Sequence, residues 1–163
     1  MGEHWDARLG IAEVLAGHRK RAERIVFTNG CFDLLHPGHL GGLRNARALG
    51  DCLVVGINSD ESVRKLKGED RPIVSLSERV ELLQAIRWVD HVVPFDEDTP
   101  AALITSLCPD IYAKGADWRD QPMPEAAAAR AIGCEVVFLD LVPGYSTTEI
   151  IERIRAVPLM PVE

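Results

Sequence analysis

"RIVFTNGCFDLLHPGHLGGLRNARALGDCLVVGIN", residues 24–58, holds two apolar, β-branched runs, RIVFTN (24–29) and CLVVGIN (52–58), around a segment of helical spacing at 37–49. Both runs are nearly continuous in apolar residues instead of alternating, the pattern of strands covered on both faces. Two such strands joined by a helix make a right-handed crossover with parallel strands. The junction carries His36-Pro37-Gly38-His39. Proline suits the first helical position, so His36 falls at or near the N-cap and His39 on the first turn. Unpaired amides and the positive end of the helix dipole make that turn an anion site, and two imidazoles three residues apart share its face. A metal pair fits poorly, because only Asp33 or Cys31 stands near enough in sequence to add a third ligand. Gly41 and Gly42 each cost a helix about 1 kcal/mol relative to Ala, which argues for close approach of this helix to the sheet or to a ligand.

The alternation continues to the end of the chain. Strands are expected at HVVPF (91–95), DIYAK (110–114) and EVVFLD (135–140), and helices at 77–87, 99–107, 122–132 and 147–156. The fold class that follows is α/β, a Rossmann-like, doubly wound five-stranded parallel sheet in one domain over residues 24–156. An N-terminal extension, residues 1–23, carries a helix over about 6–21, docked through Leu9, Val14 and Leu15 and ended by Arg19, Lys20 and Arg21, which suit its dipole. Residues 157–163 contain two prolines and are expected to form an irregular tail.

Eighteen basic against 25 acidic side chains give a net charge of −7, which disfavours a nucleic-acid partner but leaves room for a small basic pocket. No apolar run approaches the roughly 20 residues that span a bilayer, and MGEHWDARLG does not read as a secretory signal, so neither a membrane nor export is expected. Cys31, Cys52, Cys108 and Cys134 form no CxxC pair, which argues against structural zinc and for reduced thiols in a cytoplasmic protein.

Ligands of open α/β sheets bind beyond the carboxyl ends of the strands, so the loops there carry the chemistry. The first holds Thr28, Asn29, Gly30, Phe32, Asp33, His36, Gly38 and His39. The second concentrates Lys65, Lys67, Arg71 and Arg79, which reads either as a solvated charged loop or as cations gathered for phosphate. After the fourth strand, Lys114 and Gly115 can meet a polyphosphate, Asp117 can accept from sugar hydroxyls and Trp118 can stack. After the fifth, Ser146, Thr147 and Thr148 open the last helix. One hydroxyl suffices for a cap, with Glu149 completing a partial capping box, and the others suit phosphate oxygens.

NGCFDLLHPGH resembles the G-x-F-D-x-x-H-x-G-H signature of the cytidylyltransferase-like nucleotidyltransferases at Gly30, Phe32, Asp33, His36, Gly38 and His39, and ERVELLQAIRWVD, KGADW and GYSTTEII follow in matching order over about residues 24–155. Within that superfamily the chain is most similar to the D-glycero-D-manno-heptose 1-phosphate adenylyltransferases. The cytidylyltransferases of glycerol 3-phosphate usually carry Arg and Thr ahead of the glycine in R-T-x-G-x-S-T-T, where this chain has Leu141, Val142 and Pro143. The resemblance implies transfer of AMP from ATP to a sugar 1-phosphate, with Mg²⁺ as cofactor held mainly by phosphates and Asp33 as its direct or water-mediated protein contact. It implies catalytic roles for His36, His39, Lys67, Arg79 and Lys114. The nucleotide would lie against Thr28, Asn29, Gly30, Phe32, Gly38, Gly115, Asp117 and Ser146 to Thr148, with adenine read by backbone near 110–118 and 140–146. The sugar phosphate would meet Asp33, Lys65, Arg71 and Trp118. A homo-oligomer is also implied. Cytidylyl or guanylyl transfer to another phosphorylated sugar or polyol, and a nucleotide-binding module without turnover, are the alternatives.

Overall fold

The computed structural model describes residues 3–140 and 142–158, with residues 3–9 as backbone only. Five parallel strands form one sheet, β1 (Ile25–Gly30), β2 (Cys52–Asn58), β3 (His91–Phe95), β4 (Ile111–Gly115) and β5 (Glu135–Leu139), in the order β3-β2-β1-β4-β5. The chain winds outward from β1 to β2 and β3, then returns to the other side of β1 as β4 and β5. The order therefore reverses between β1 and β4, where ligands of such sheets bind. The expected doubly wound, Rossmann-like sheet is the one observed.

Side chains alternate along β1. Ile25 and Phe27 join a core with Leu15, Val54, Val93, Leu103 and Tyr112, while Val26 joins Leu43, Leu53, Ile57, Leu83 and Ile111 on the opposite face. The first core is covered by α1 (Glu3–Lys20), α5 (Ala101–Leu107) and α6 (Pro124–Ala131), and the second by α2 (Pro37–Arg47) and α4 (Leu76–Gln84). The N-terminal helix thus shares the core of the sheet, docked by Ile11 and Leu15; Val14 is exposed, contrary to expectation. The side chain of Leu9 lies outside the described residues, as do residues 159–163 of the expected tail.

One element departs from the sequence reading. Residues expected as a charged loop after β2 include a helix, α3 (Asp60–Lys67), capped by Ser59, whose hydroxyl accepts from the Ser62 amide at 3.3 Å. Its sequence, DESVRKLK, buries only Ser62 and Val63, so there is no apolar stripe to announce it. The last helix, α7 (Thr147–Arg155), buries no side chain. Among the described residues no helix is long and apolar enough to cross a membrane.

Candidate active site

A cavity of about 670 Å³ opens beyond the carboxyl ends of β1 and β4. One wall is the start of α2. His36 is its N-cap, in extended conformation (φ −141°), and its Nδ1 accepts from the His39 amide at 3.3 Å. Because Nδ1 accepts, a neutral His36 carries its proton on Nε2 and offers a donor there. The His36 and His39 rings stack with centroids 3.8 Å apart and planes at 21°. Tyr145 lies nearly parallel to His36 at 6.4 Å, and Phe32 leans on His39 at 5.3 Å. Burial, then the neighbouring His36, lowers His39 from the usual imidazole range to about 4. Burial also lowers His36, against the pull of Glu149. Both rings are therefore neutral at pH 7 in the free protein. Among the described residues His39 Nδ1, itself buried, has no hydrogen-bond partner.

The glycines around this pair have distinct uses. A Cβ at Gly38 would stand 2.9 Å from His36 Cε1 and Nδ1 and 3.1 Å from Tyr145 Cβ, so a side chain there would displace the stack. At Gly41 a Cβ would run into Val142 Cγ2, so α2 does approach the segment leading into α7. Gly42 has open space instead, and the expectation of close approach fails there.

The expected cations divide. Lys67, Arg71 and Lys114 line the cavity. Lys114 Nζ donates to Asn29 Oδ1 at 3.0 Å, stands 3.9 Å from Glu125 and lies 4.7 Å above the Trp118 ring. Burial lowers the Lys114 ammonium from the ordinary lysine range, while Glu125 and Asp117 oppose the shift. Asn29 Oδ1 also accepts from Tyr112 Oη at 2.8 Å, which fixes the amide so that its oxygen faces the lysine. Lys65 turns to Glu61 at 2.8 Å and does not line the cavity.

Arg79 does not reach the cavity either. It is fully buried, and its guanidinium donates to the carbonyls of Val74 (3.0 Å), Cys31 (2.5 Å) and Asn58 (2.9 Å) and to Asp60 (2.7 Å). With its donors spent on these partners, it braces the loop after β1 against the end of β2 and the start of α4. Asp33 has a similar task. Its carboxylate accepts from Arg71 Nε (2.6 Å), the Val74 amide (3.0 Å) and the Ile73 amide (2.9 Å). Burial alone would raise the Asp33 carboxyl, but the two amides and the guanidinium outweigh it and hold the group below the aspartate range. A carboxylate engaged in this way does not fit a direct Mg²⁺ ligand, so Mg²⁺ would have to ride on phosphate oxygens.

The hydroxyls close the site from the α7 side. Ser146 Oγ caps α7 by accepting from the Glu149 amide at 3.1 Å, Thr147 Oγ1 donates to the Asp33 carbonyl at 2.8 Å, and all three of Ser146, Thr147 and Thr148 line the cavity. Thr28, Asn29, Gly30, Phe32, Gly115, Asp117 and Trp118 line it too, whereas Gly38 borders an adjoining, smaller hollow. Of the backbone expected to read adenine, residue 141 lies outside the described residues. Sequence reading missed Glu125 and Tyr145. The only hint of Glu125 was a lone acid in the alanine-rich PEAAAARA, and Tyr145 could be noticed only for standing beside the serine and threonines.

A doubly wound parallel sheet with stacked histidines at one helix start, hydroxyls at another and lysines lining the same cavity is an arrangement suited to phosphate groups at the switch point. The chain belongs to the cytidylyltransferase-like family of nucleotidyltransferases, which it matches over residues 27–153. It is 50% identical over 147 residues to the bifunctional protein HldE of Syntrophotalea carbinolica, covering 90% of this chain and 30% of that protein. HldE of Haemophilus influenzae strain PittEE is 46% identical over 145 residues, 89% of this chain and again 30% of the relative. The chain thus spans about 30% of the length of these curated relatives. Among solved structures, the lipopolysaccharide core biosynthesis protein from Thermoplasma volcanium GSS1 superposes with a TM-score of 0.59 at 29% identity, over 74% of this chain and 97% of that one.

Proposed function

We propose that the protein transfers AMP from ATP to a heptose 1-phosphate, releasing pyrophosphate and forming ADP-heptose. The observation that carries this reading is the stacked, neutral His36–His39 pair at the positive end of α2, facing the same cavity as Lys114 and the N-terminus of α7. The similarity to HldE and to a lipopolysaccharide core biosynthesis protein supports the sugar side of the reaction.

In the reaction an oxygen of the sugar phosphate attacks Pα, the bond from Pα to the bridging oxygen breaks, and pyrophosphate leaves. The nucleophile is already an anion and needs no base. A covalent enzyme intermediate has no support: Cys31 is raised by burial, and Ser146 Oγ is committed to its cap. Catalysis then rests on alignment and on donors placed where charge develops. His36 and His39 would donate to phosphate oxygens at Pα, with Thr28 and the adjacent backbone beside them. Lys114, Lys67 and Arg71 would offset charge on the nucleotide and on the incoming phosphate, and Ser146 to Thr148 would hold the departing pyrophosphate. Mg²⁺ would arrive with ATP and screen the phosphate charge.

The test combines ATP, CTP or GTP with each anomer of D-glycero-D-manno-heptose 1-phosphate and follows product by mass. The expected product is ADP-heptose from ATP. CDP-glycerol formed faster from CTP and glycerol 3-phosphate, or ATP bound but never converted, would overturn the reading. His39→Ala should lower kcat by about 10²–10³ without loss of fold.

A further inference from the structure

On the side of the sheet away from the cavity, at the amino ends of β2 and β3, three groups converge that the proposed reaction does not use. His18 extends the stripe of Ile11 and Leu15 on α1, Cys52 opens β2 and His91 opens β3. Val54 lies opposite His91 in the β2–β3 register, so Cys52, two residues before Val54, points to the same face of the sheet as His91. One ligand atom from each of the three residues lies within 4.8 Å of those of the other two. The Nε2 atoms of His18 and His91 are 3.5 Å apart.

We infer that His18, Cys52 and His91 form a zinc site that ties the end of α1 to the starts of β2 and β3. Bond lengths of roughly 2.0–2.1 Å to nitrogen in a tetrahedral arrangement place two imidazole nitrogens about 3.3 Å apart, close to the spacing observed, and a bond of roughly 2.3 Å to sulfur places the thiolate about 3.6 Å from each, against the present separations of at most 4.8 Å. Two imidazoles and a thiolate are a donor set suited to borderline-soft Zn²⁺, with water in the fourth position. The outer contacts of His18 also suit a metal ligand. Its Nδ1 lies 2.6 Å from Glu23 Oε2 and 3.2 Å from Arg21 Nη2. Arg21 is itself paired with Glu23 at 2.8 Å, so the shorter contact is the bond, with Nδ1–H donating to the carboxylate. That fixes the tautomer in which Nε2 presents its lone pair toward Cys52 and His91, the carboxylate–histidine arrangement that orients metal-bound imidazoles. Binding forms a Zn–S bond and breaks S–H, with the thiol proton leaving to solvent. His91 binds as the tautomer protonated on Nδ1. The site draws its ligands from residues 18, 52 and 91, which no local spacing motif joins, so it revises the expectation of no structural zinc. It is independent of the proposed reaction.

The test uses the full chain, stripped with chelator and titrated with Co²⁺, then with Zn²⁺ as competitor. The expected result is uptake of one metal per chain, a thiolate-to-cobalt charge-transfer band that Zn²⁺ abolishes, and loss of both in Cys52→Ala. Zinc at a hundredfold excess over its Kd should raise the wild-type Tm by roughly 5–10 °C and leave that of the variant unchanged. If Cys52→Ala fails to fold, His91→Gln, at a partly buried position, serves the same purpose and should lose uptake. The combined His36→Ala/His39→Ala variant should keep the band. Absence of one-to-one uptake, a band that survives Cys52→Ala or His91→Gln, or a band lost only with His36 and His39, overturns the assignment.

Discussion

His39 gives the clearest quantitative test of the site, because its neutrality has to appear in the stability of the protein. An unfolded histidine titrates near 6.5, while burial and the stacked His36 hold His39 at about 4 in the fold. Between those values the unfolded chain binds more protons than the native one, so stability falls as the pH drops through this window. Linkage from 6.5 to 4 gives a loss of about 2 kcal/mol between pH 7 and pH 5 from this one group. Replacing His39 by Gln removes the titration. Urea unfolding of wild type and His39→Gln at both pH values should then show the wild type losing about 2 kcal/mol more, a midpoint shift of roughly 1 M at an ordinary m value. The ring protons of His39, followed by NMR in the folded protein, should remain in the neutral form down to about pH 5. Saturating ATP should move the titration upward, since phosphate anions favour imidazolium. Equal pH slopes in the two proteins, or His39 titrating near 6.5 without ligand, would refute the lowering of His39 by burial and by the stacked His36.

Other substitutions separate chemistry from support. Lys114→Met should lower kcat/KM for ATP by about 10²-fold in steady-state assays, with the unfolding free energy changed by no more than about 1 kcal/mol, because loss of a costly buried ammonium offsets the stranding of the buried Glu125 carboxylate. Arg79→Met should do the reverse. It strands the carbonyls of Cys31, Asn58 and Val74 and leaves Asp60 unpaired, so denaturant titration should show a loss of about 3–5 kcal/mol, with turnover per folded molecule changed less than by Lys114→Met. Gly38→Ala pushes on the His36 ring and on Tyr145 at the first turn of α2, where alanine is otherwise welcome. Its kcat should fall at least tenfold with little change in Tm.

Strand positions were legible because parallel strands buried on both faces need continuous apolar runs. CLVVGIN and HVVPF were located to the residue, and the other three strands to within one. The parallel, doubly wound sheet followed from alternation with helices and the handedness of crossovers, whereas the particular order β3-β2-β1-β4-β5 has no local signature in the sequence. The HPGH turn was legible too, since proline and histidine at a helix start have local meanings. What could not be read were the directions of charged side chains. Lys65, Lys67, Arg71 and Arg79 occupy one basic stretch, yet one pairs with Glu61 on the surface, two line the cavity and one is fully buried. Their roles depend on carbonyls supplied by residues 31, 58 and 74, which no local pattern connects to them. For the same reason α3 passed as a loop, since it is held by its cap and by Val63 instead of by an apolar face.

The weak anchoring of α7 has a kinetic consequence. The helix carries the serine and two threonines yet buries no side chain, and Ile154 is 61% exposed. A segment held so lightly lies at the low end of local-opening free energies. A ligand that bridges α7 and the β1 loop must supply the ordering free energy of this wall, so its affinity falls short of what the contacts alone would give. The same looseness shortens residence time. A substitution that stiffened α7 against the sheet would tighten nucleotide binding while slowing the departure of whatever is bound there, so turnover and affinity would move in opposite directions.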